Sequence, residues 1–159
     1  MRHRLVNVES EYDQVAHFVR FAAQYAGDYG KSALDWVTAL SLPELWAELR
    51  ARYKTEKGER VIRPLYYWQD EYRQAAGAQD CDDQLIQFVA RFIYAGVNPK
   101  DILIFEAKEP GGDYYCHIFA GLRLPSGDVI FLDCLPQSAY NRLDYPGELI
   151  RITTAADYL

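Results

Sequence analysis

The chain has 159 residues, half of them hydrophobic and a quarter charged, which suits one globular domain with a real core and excludes a disordered tract. A formal net charge of -6 without any run of Lys or Arg argues against nucleic acid or an anionic membrane as partner, and no apolar run approaches the roughly 20 residues that span a bilayer. Three scattered cysteines, Cys81, Cys116 and Cys134, make no disulfide framework, and the opening stretch lacks a signal peptide's apolar core, so a cytoplasmic protein with at least one free thiol is expected.

From Glu9 to about Tyr29 the apolar residues Val15, Phe18, Val19, Ala22 and Tyr25 recur at spacings of three and four, the stripe of an amphipathic helix that Gly27 and Gly30 end. Ser41 then caps a short second helix, with Pro43 in its first turn and Leu45, Trp46 and Leu49 on one side. After the exposed loop "KTEKGER", Pro64 opens a third helical segment that Gly77 closes. A fourth helix follows Cys81. Leu85, Ile86, Phe88, Val89, Phe92, Ile93 and Tyr94 cover most of its circumference, so it should be central, with Gln84, Gln87 and Arg91 as its wet edge. Gly96, Val97 and Pro99 end it.

Beyond Pro99 the periodicity becomes two, in "ILIFEA", "YYCHIFAGLRL", "DVIFLDCL" and "ELIRIT". These imply a small antiparallel sheet, followed by a frayed tail. The expected fold is therefore a single α+β domain over 1–159, with a helical part at about 9–96 and a sheet part at about 101–153.

Cys81 stands out chemically. It falls at a helix N-terminus, where backbone N–H groups and the helix dipole favour an anion. Its acidic neighbours cut both ways: Asp80 can cap the helix and Asp82 and Asp83 suit its first turn, yet negative charge disfavours a thiolate. Clustered carboxylates also suit a hard metal ion, but this cluster lacks the glycine turn and distant acidic ligand of a calcium loop, so capping is the better reading and no metal or cofactor is expected. A cationic partner is needed, and His117, inside a strand, is the candidate. Asp133, in an otherwise apolar stretch, needs compensation and could orient the imidazole.

Register decides whether His117 and Asp133 can meet. If Pro125, Ser126 and Gly127 form a three-residue loop, Leu124 faces Asp128 and Asp133 lies opposite Phe119, diagonal to His117 on the same face. A two-residue loop would put them on opposite faces. The same alternation turns Cys116 and Cys134 away from the His117 face, as inert small hydrophobes. His3 and His17 have no comparable context and are expected to be solvated.

"DCDD" at the start of a buried helix, His117 opening "HIFA" and Asp133 closing an apolar strand resemble the transglutaminase-like cysteine protease superfamily, whose bacterial and phage members carry a "GDCDD" box, a strand opened by the His and a strand closed by the Asp. The resemblance runs over roughly 63–136. It implies a papain-like fold and a catalytic triad of Cys81, His117 and Asp133, acting on a peptide or protein amide in the cytoplasm or, if phage-encoded, in a virion. Gln79 replaces the usual Gly before the box, and Cys134 and Leu135 intervene between Asp133 and Pro136. The backbone N–H of Cys81 is one expected oxyanion donor; the second could be Trp68, Gln69, Tyr72 or Gln74. A non-catalytic binding or structural module of the same fold, such as a virion or assembly component, is the alternative. Oligomeric state is not written in the sequence.

Overall fold

The computed structural model describes residues 8–55, 60–111 and 115–159. Six helices precede four strands: α1 (Val8–Tyr25), α2 (Asp35–Thr38), α3 (Leu42–Ala51), α4 (Pro64–Tyr67), α5 (Asp70–Ala76), α6 (Cys81–Tyr94), then β1 (Ile102–Lys108), β2 (Tyr115–Arg123), β3 (Val129–Leu132) and β4 (Glu148–Thr154). This is an α+β architecture with one antiparallel sheet of order β3-β2-β1-β4. Because β3 and β4 are opposite edges, the chain between Leu132 and Glu148 must cross from one side of the sheet to the other.

The expected helix through Tyr29 stops being α-helical at Tyr25 and tightens into a 3-10 turn over Ala26–Gly30. α3 begins where Ser41 predicts, with a reciprocal capping box: the Ser41 Oγ accepts from the Glu44 N–H at 3.3 Å, and the Glu44 carboxylate accepts from the Ser41 N–H at 3.0 Å. The third helical segment is not continuous. α4 and α5 are separated at Trp68 and Gln69, because the buried Trp68 turns its indole inward, where Nε1 donates to the Tyr29 hydroxyl at 3.2 Å. Gly77, at φ +69°, closes α5 in the left-handed conformation that a glycine adopts without strain.

α6 lies between the sheet and the other helices, packed against β2 on one side and α1 on the other. Leu85, Ile86, Phe88, Val89 and Ala90 are all essentially inaccessible. The expected wet edge at Gln84 and Gln87 is a correction: both are buried. The helical shell closes over them, and each finds a polar partner, Gln84 Nε2 donating to the Leu49 carbonyl at 2.7 Å and Gln87 Oε1 accepting from the Tyr29 hydroxyl at 2.6 Å. Arg91 is only part-buried and reaches the Thr38 carbonyl.

The strands fall where the alternation places them, and the register is the one the three-residue loop requires. Leu124 N–H donates to the Asp128 carbonyl, Gly127 sits at φ +92°, and Ala120 pairs with Leu132. Ile104, Ile118 and Ala120 face the helices, whereas Leu103, Phe105 and Phe119 form a second cluster on the outer face. Nor is the C-terminus frayed. Ala155 and Tyr158 are buried, the Thr154 N–H is capped by Asp157, and Arg20 Nε holds the Tyr158 carbonyl at 2.8 Å.

Asp28 ties the 3-10 turn to the start of α4. Its buried carboxylate accepts two hydrogen bonds from Arg63, at 2.8 and 2.6 Å, and one from the Leu65 N–H at 3.1 Å, with Lys31 at 3.2 Å. Burial alone would raise the carboxyl, but these partners outweigh it and hold the pKa at about 2, against an ordinary 3.8. A depressed pKa contributes stability that is present above about pH 4 and lost as the pH falls toward 2. Asp28→Asn is therefore expected to destabilise the fold by about 1–3 kcal/mol at neutral pH. The gap from the unmodified protein should close between pH 4 and pH 2 in urea melts; a gap independent of pH would deny Asp28 its ionic role.

Candidate active site

Asp80, in extended conformation, is the N-cap of α6, and Cys81 is its first helical residue. Asp80 and Asp83 form a capping box in which the Asp83 carboxylate accepts from the Asp80 N–H at 3.1 Å. Two of the three carboxylates around the thiol are therefore engaged in starting the helix, and the third, Asp82, accepts from the Cys81 Sγ at 3.8 Å. Asp80, Cys81 and Asp82 form the one group among the described residues with donor atoms close enough for a metal ion. The capping role of Asp80 accounts for one of these carboxylates without any ion.

β2 carries His117 and the end of β3 delivers Asp133. The ladder between them stops at Ala120 and Leu132, so Asp133 lies one residue beyond the paired strand and the edge of β2 at His117–Phe119 is not paired to β3. In that gap the His117 Nε2 lies 2.8 Å from Asp133 Oδ1, with each side chain 1% exposed. Asp133 Oδ1 also accepts from the Leu135 N–H at 3.3 Å, which makes Asp133 the acceptor and Nε2 the protonated nitrogen. His117 Nδ1 is then a lone-pair acceptor, buried and without a hydrogen-bond partner among the described residues. Phe119 and Tyr145 lie against the imidazole, their ring centroids 5.4 and 4.7 Å from it, and fix its plane. The Asp133 backbone is fixed from α3, where Trp46 Nε1 donates to its carbonyl at 2.7 Å and Arg50 bonds the Pro136 carbonyl.

Cys81, His117 and Asp133 line one cavity, together with Tyr53, Gln84 and Cys134. Its volume is about 10 Å³, near the least that holds a single water. Cys81 is 5% exposed. The three side chains share a cavity that is closed to anything larger than water.

The structure places the four oxyanion candidates elsewhere, and none lines the cavity. Trp68 is committed to Tyr29, Gln69 Nε2 donates to the Leu65 carbonyl, and Tyr72 and Gln74 are exposed. The tyrosine that lines the cavity instead is Tyr53, just past the end of α3. No spacing rule links position 53 to position 81; the two share a cavity because α3 packs beside the start of α6, as the Gln84 bond to Leu49 records. Cys134 is closer than alternation implies. It shares the cavity because the chain leaves the ladder after Leu132, but its Sγ is directed at the Leu132 and Trp46 carbonyls, and burial pushes its thiol well above the ordinary range. His17 is exposed. His3 and the Cys116 side chain lie outside the described residues.

Compared with known protein families, curated proteins and solved structures, the chain matches none. Among the described residues no helix is long and apolar enough to cross a membrane.

Iodoacetamide at neutral pH is expected to leave Cys134 unmodified in the folded protein and to alkylate it once urea unfolds the chain, as read by peptide mass mapping. Labelling of Cys134 without unfolding would mean that its thiol is neither buried nor held protonated.

Proposed function

We propose that this protein is a cysteine-dependent acyl-transfer enzyme of the transglutaminase-like, papain-like type, hydrolysing an amide or peptide bond. The observation that carries the reading is the buried His117–Asp133 hydrogen bond, which leaves Nδ1 as the basic nitrogen in a cavity that Cys81 also lines. In this reading His117 Nδ1 takes the Cys81 proton and Asp133 stabilises the imidazolium through Nε2. The sulfur attacks the carbonyl, the leaving amine takes the proton from Nδ1, and water resolves the thioester. The imidazolium also offsets the carboxylates around the sulfur, which the helix N-terminus does only in part. The free thiols Cys81 and Cys134 suit a reducing compartment, the cytoplasm or a virion assembled in it. A peptide or protein amide is the substrate class, and the negative net charge speaks against nucleic acid.

The second reading is a binding or structural module of the same fold, including one built into a phage particle. One observation favours it: a cavity of about 10 Å³ admits no substrate until something moves.

The two separate in one experiment. With p-nitrophenyl acetate and small peptide amides as probes, the enzyme reading expects an acyl group on Cys81 by mass spectrometry and loss of turnover in Cys81→Ala. Asp133→Asn should lose two to four orders of magnitude in turnover, on the order of what removing this charge costs in other triads. Its melting temperature should change little, because Asn is nearly isosteric and still bonds the ring. An unmodified protein in which Cys81 neither acylates nor reacts with iodoacetamide faster than a free thiol would leave the module reading.

A further inference from the structure

We propose that the Tyr53 hydroxyl is the side-chain oxyanion donor of the Cys81 site, opposite the Cys81 backbone N–H. This rests on the acyl-transfer reading above. Three observations point to it. The Tyr53 Oη is buried yet has no hydrogen-bond partner among the described residues, a condition that leaves its desolvation uncompensated and calls for an explanation. It lines the cavity with Cys81, His117 and Asp133. The other side-chain donors there have work to do: Gln84 Nε2 is on the Leu49 carbonyl, Cys134 is on the Leu132 and Trp46 carbonyls, and His117 Nε2 is on Asp133. Tyr53 is left to meet a new acceptor.

The electrostatics keep it a donor. Burial first, then the negative charge of Cys81, Asp80, Asp133 and Asp82, pushes the phenol well above its ordinary value of 10, so the proton stays on oxygen throughout the range in which a thiolate works. An unsatisfied donor in the resting protein is free to meet the oxygen on which charge develops. The bond from the hydroxyl strengthens as the carbonyl oxygen gains negative charge, so it lowers the barrier more than it tightens the ground state. In the step itself the S–C bond forms, the carbonyl π pair moves to oxygen, and that oxygen accepts from Tyr53 and from the Cys81 N–H. The pair returns as the C–O bond to the leaving group breaks, p-nitrophenolate departing from the ester probe. Tyr53 also borders an open groove of about 400 Å³ with Arg52, Lys54 and Arg73 on its walls.

The test compares two reactions of Cys81 in the full chain. Acylation by p-nitrophenyl acetate passes through a tetrahedral oxyanion, whereas alkylation by iodoacetamide is a direct displacement and forms none. Tyr53→Phe should slow acylation by roughly 10²–10³-fold, the usual loss of one oxyanion donor, and leave alkylation within about threefold. Acylation unchanged in Tyr53→Phe overturns the proposal, and so does an equal loss in both reactions, which would mean that Tyr53 acts on the sulfur. A wild-type protein that alkylates but never acylates removes the acyl-transfer reading and the Tyr53 role with it; acylation that is equal in the two proteins removes the Tyr53 role alone. If Tyr53→Phe does not fold, 3-fluorotyrosine placed at position 53 keeps ring and donor with a more acidic proton. It should change the acylation rate and not the alkylation rate, and an unchanged acylation rate overturns the proposal.

Discussion

The β2–β3 hairpin closes on Gly127 in the left-handed conformation, and the contacts of the candidate site inherit their register from that turn. With three residues between Leu124 and Asp128, the side chains of His117 and Asp133 come to the same side and meet at 2.8 Å. One residue fewer would reverse the facing of β3 and turn Asp133 away, leaving two buried polar groups without each other. The ladder's early stop adds the second condition. Since β3 ends at Leu132, the chain is free to swing Asp133 and Cys134 toward α6, and the gap it leaves is the cavity.

The helical half serves that gap from the other side. α6 is so thoroughly enclosed that its polar residues are bound internally, Gln84 to α3 and Gln87 to the 3-10 turn after α1. This fixes the height of Cys81 relative to β2, because a helix wedged between a sheet and a shell cannot slide without breaking those bonds. α3 reaches the site three times: Trp46 holds the Asp133 carbonyl, Arg50 holds Pro136, and the chain just beyond its end presents Tyr53. The short second helix that the sequence marks with little more than a cap and an apolar stripe is thus the brace of the proposed chemistry.

What the sequence disclosed and what it withheld divide along a physical line. Periodicity of two, a Gly in a three-residue loop and an N-cap are local rules, so the strands, the register and the start of α6 were readable at Leu124–Asp128 and Asp80–Asp83. The α+β architecture followed from helices preceding strands. Burial of Gln84 and Gln87 was not readable, because an amide on a helix looks solvent-facing until a neighbour offers it a carbonyl or a hydroxyl. The break at Trp68 and the docking of Tyr158 depend likewise on distant partners, Tyr29 and Arg20. Tyr53 is the sharpest instance: its place in the Cys81 cavity is a product of helix packing, whereas the donors close before the nucleophile in sequence are Trp68, Gln69, Tyr72 and Gln74, none of which lines the cavity.

The crossing from β3 to β4 bears on the order in which the molecule assembles. β1, β2 and β3 are neighbours in both chain and sheet, so their pairing closes short loops and is entropically cheap, whereas β4 must return past two strands to pair with β1. The crossing segment carries Tyr145 onto the His117 ring and then passes Gly147 beneath the Lys108 carbonyl, where an added methyl carbon would come within 1.9 Å of that oxygen. The crossing segment thus lays Tyr145 against the His117 ring on its way to β4, so one part of the cover over the imidazole is supplied by the connection that spans the sheet, and a change in that connection reaches the histidine without touching β2 or β3.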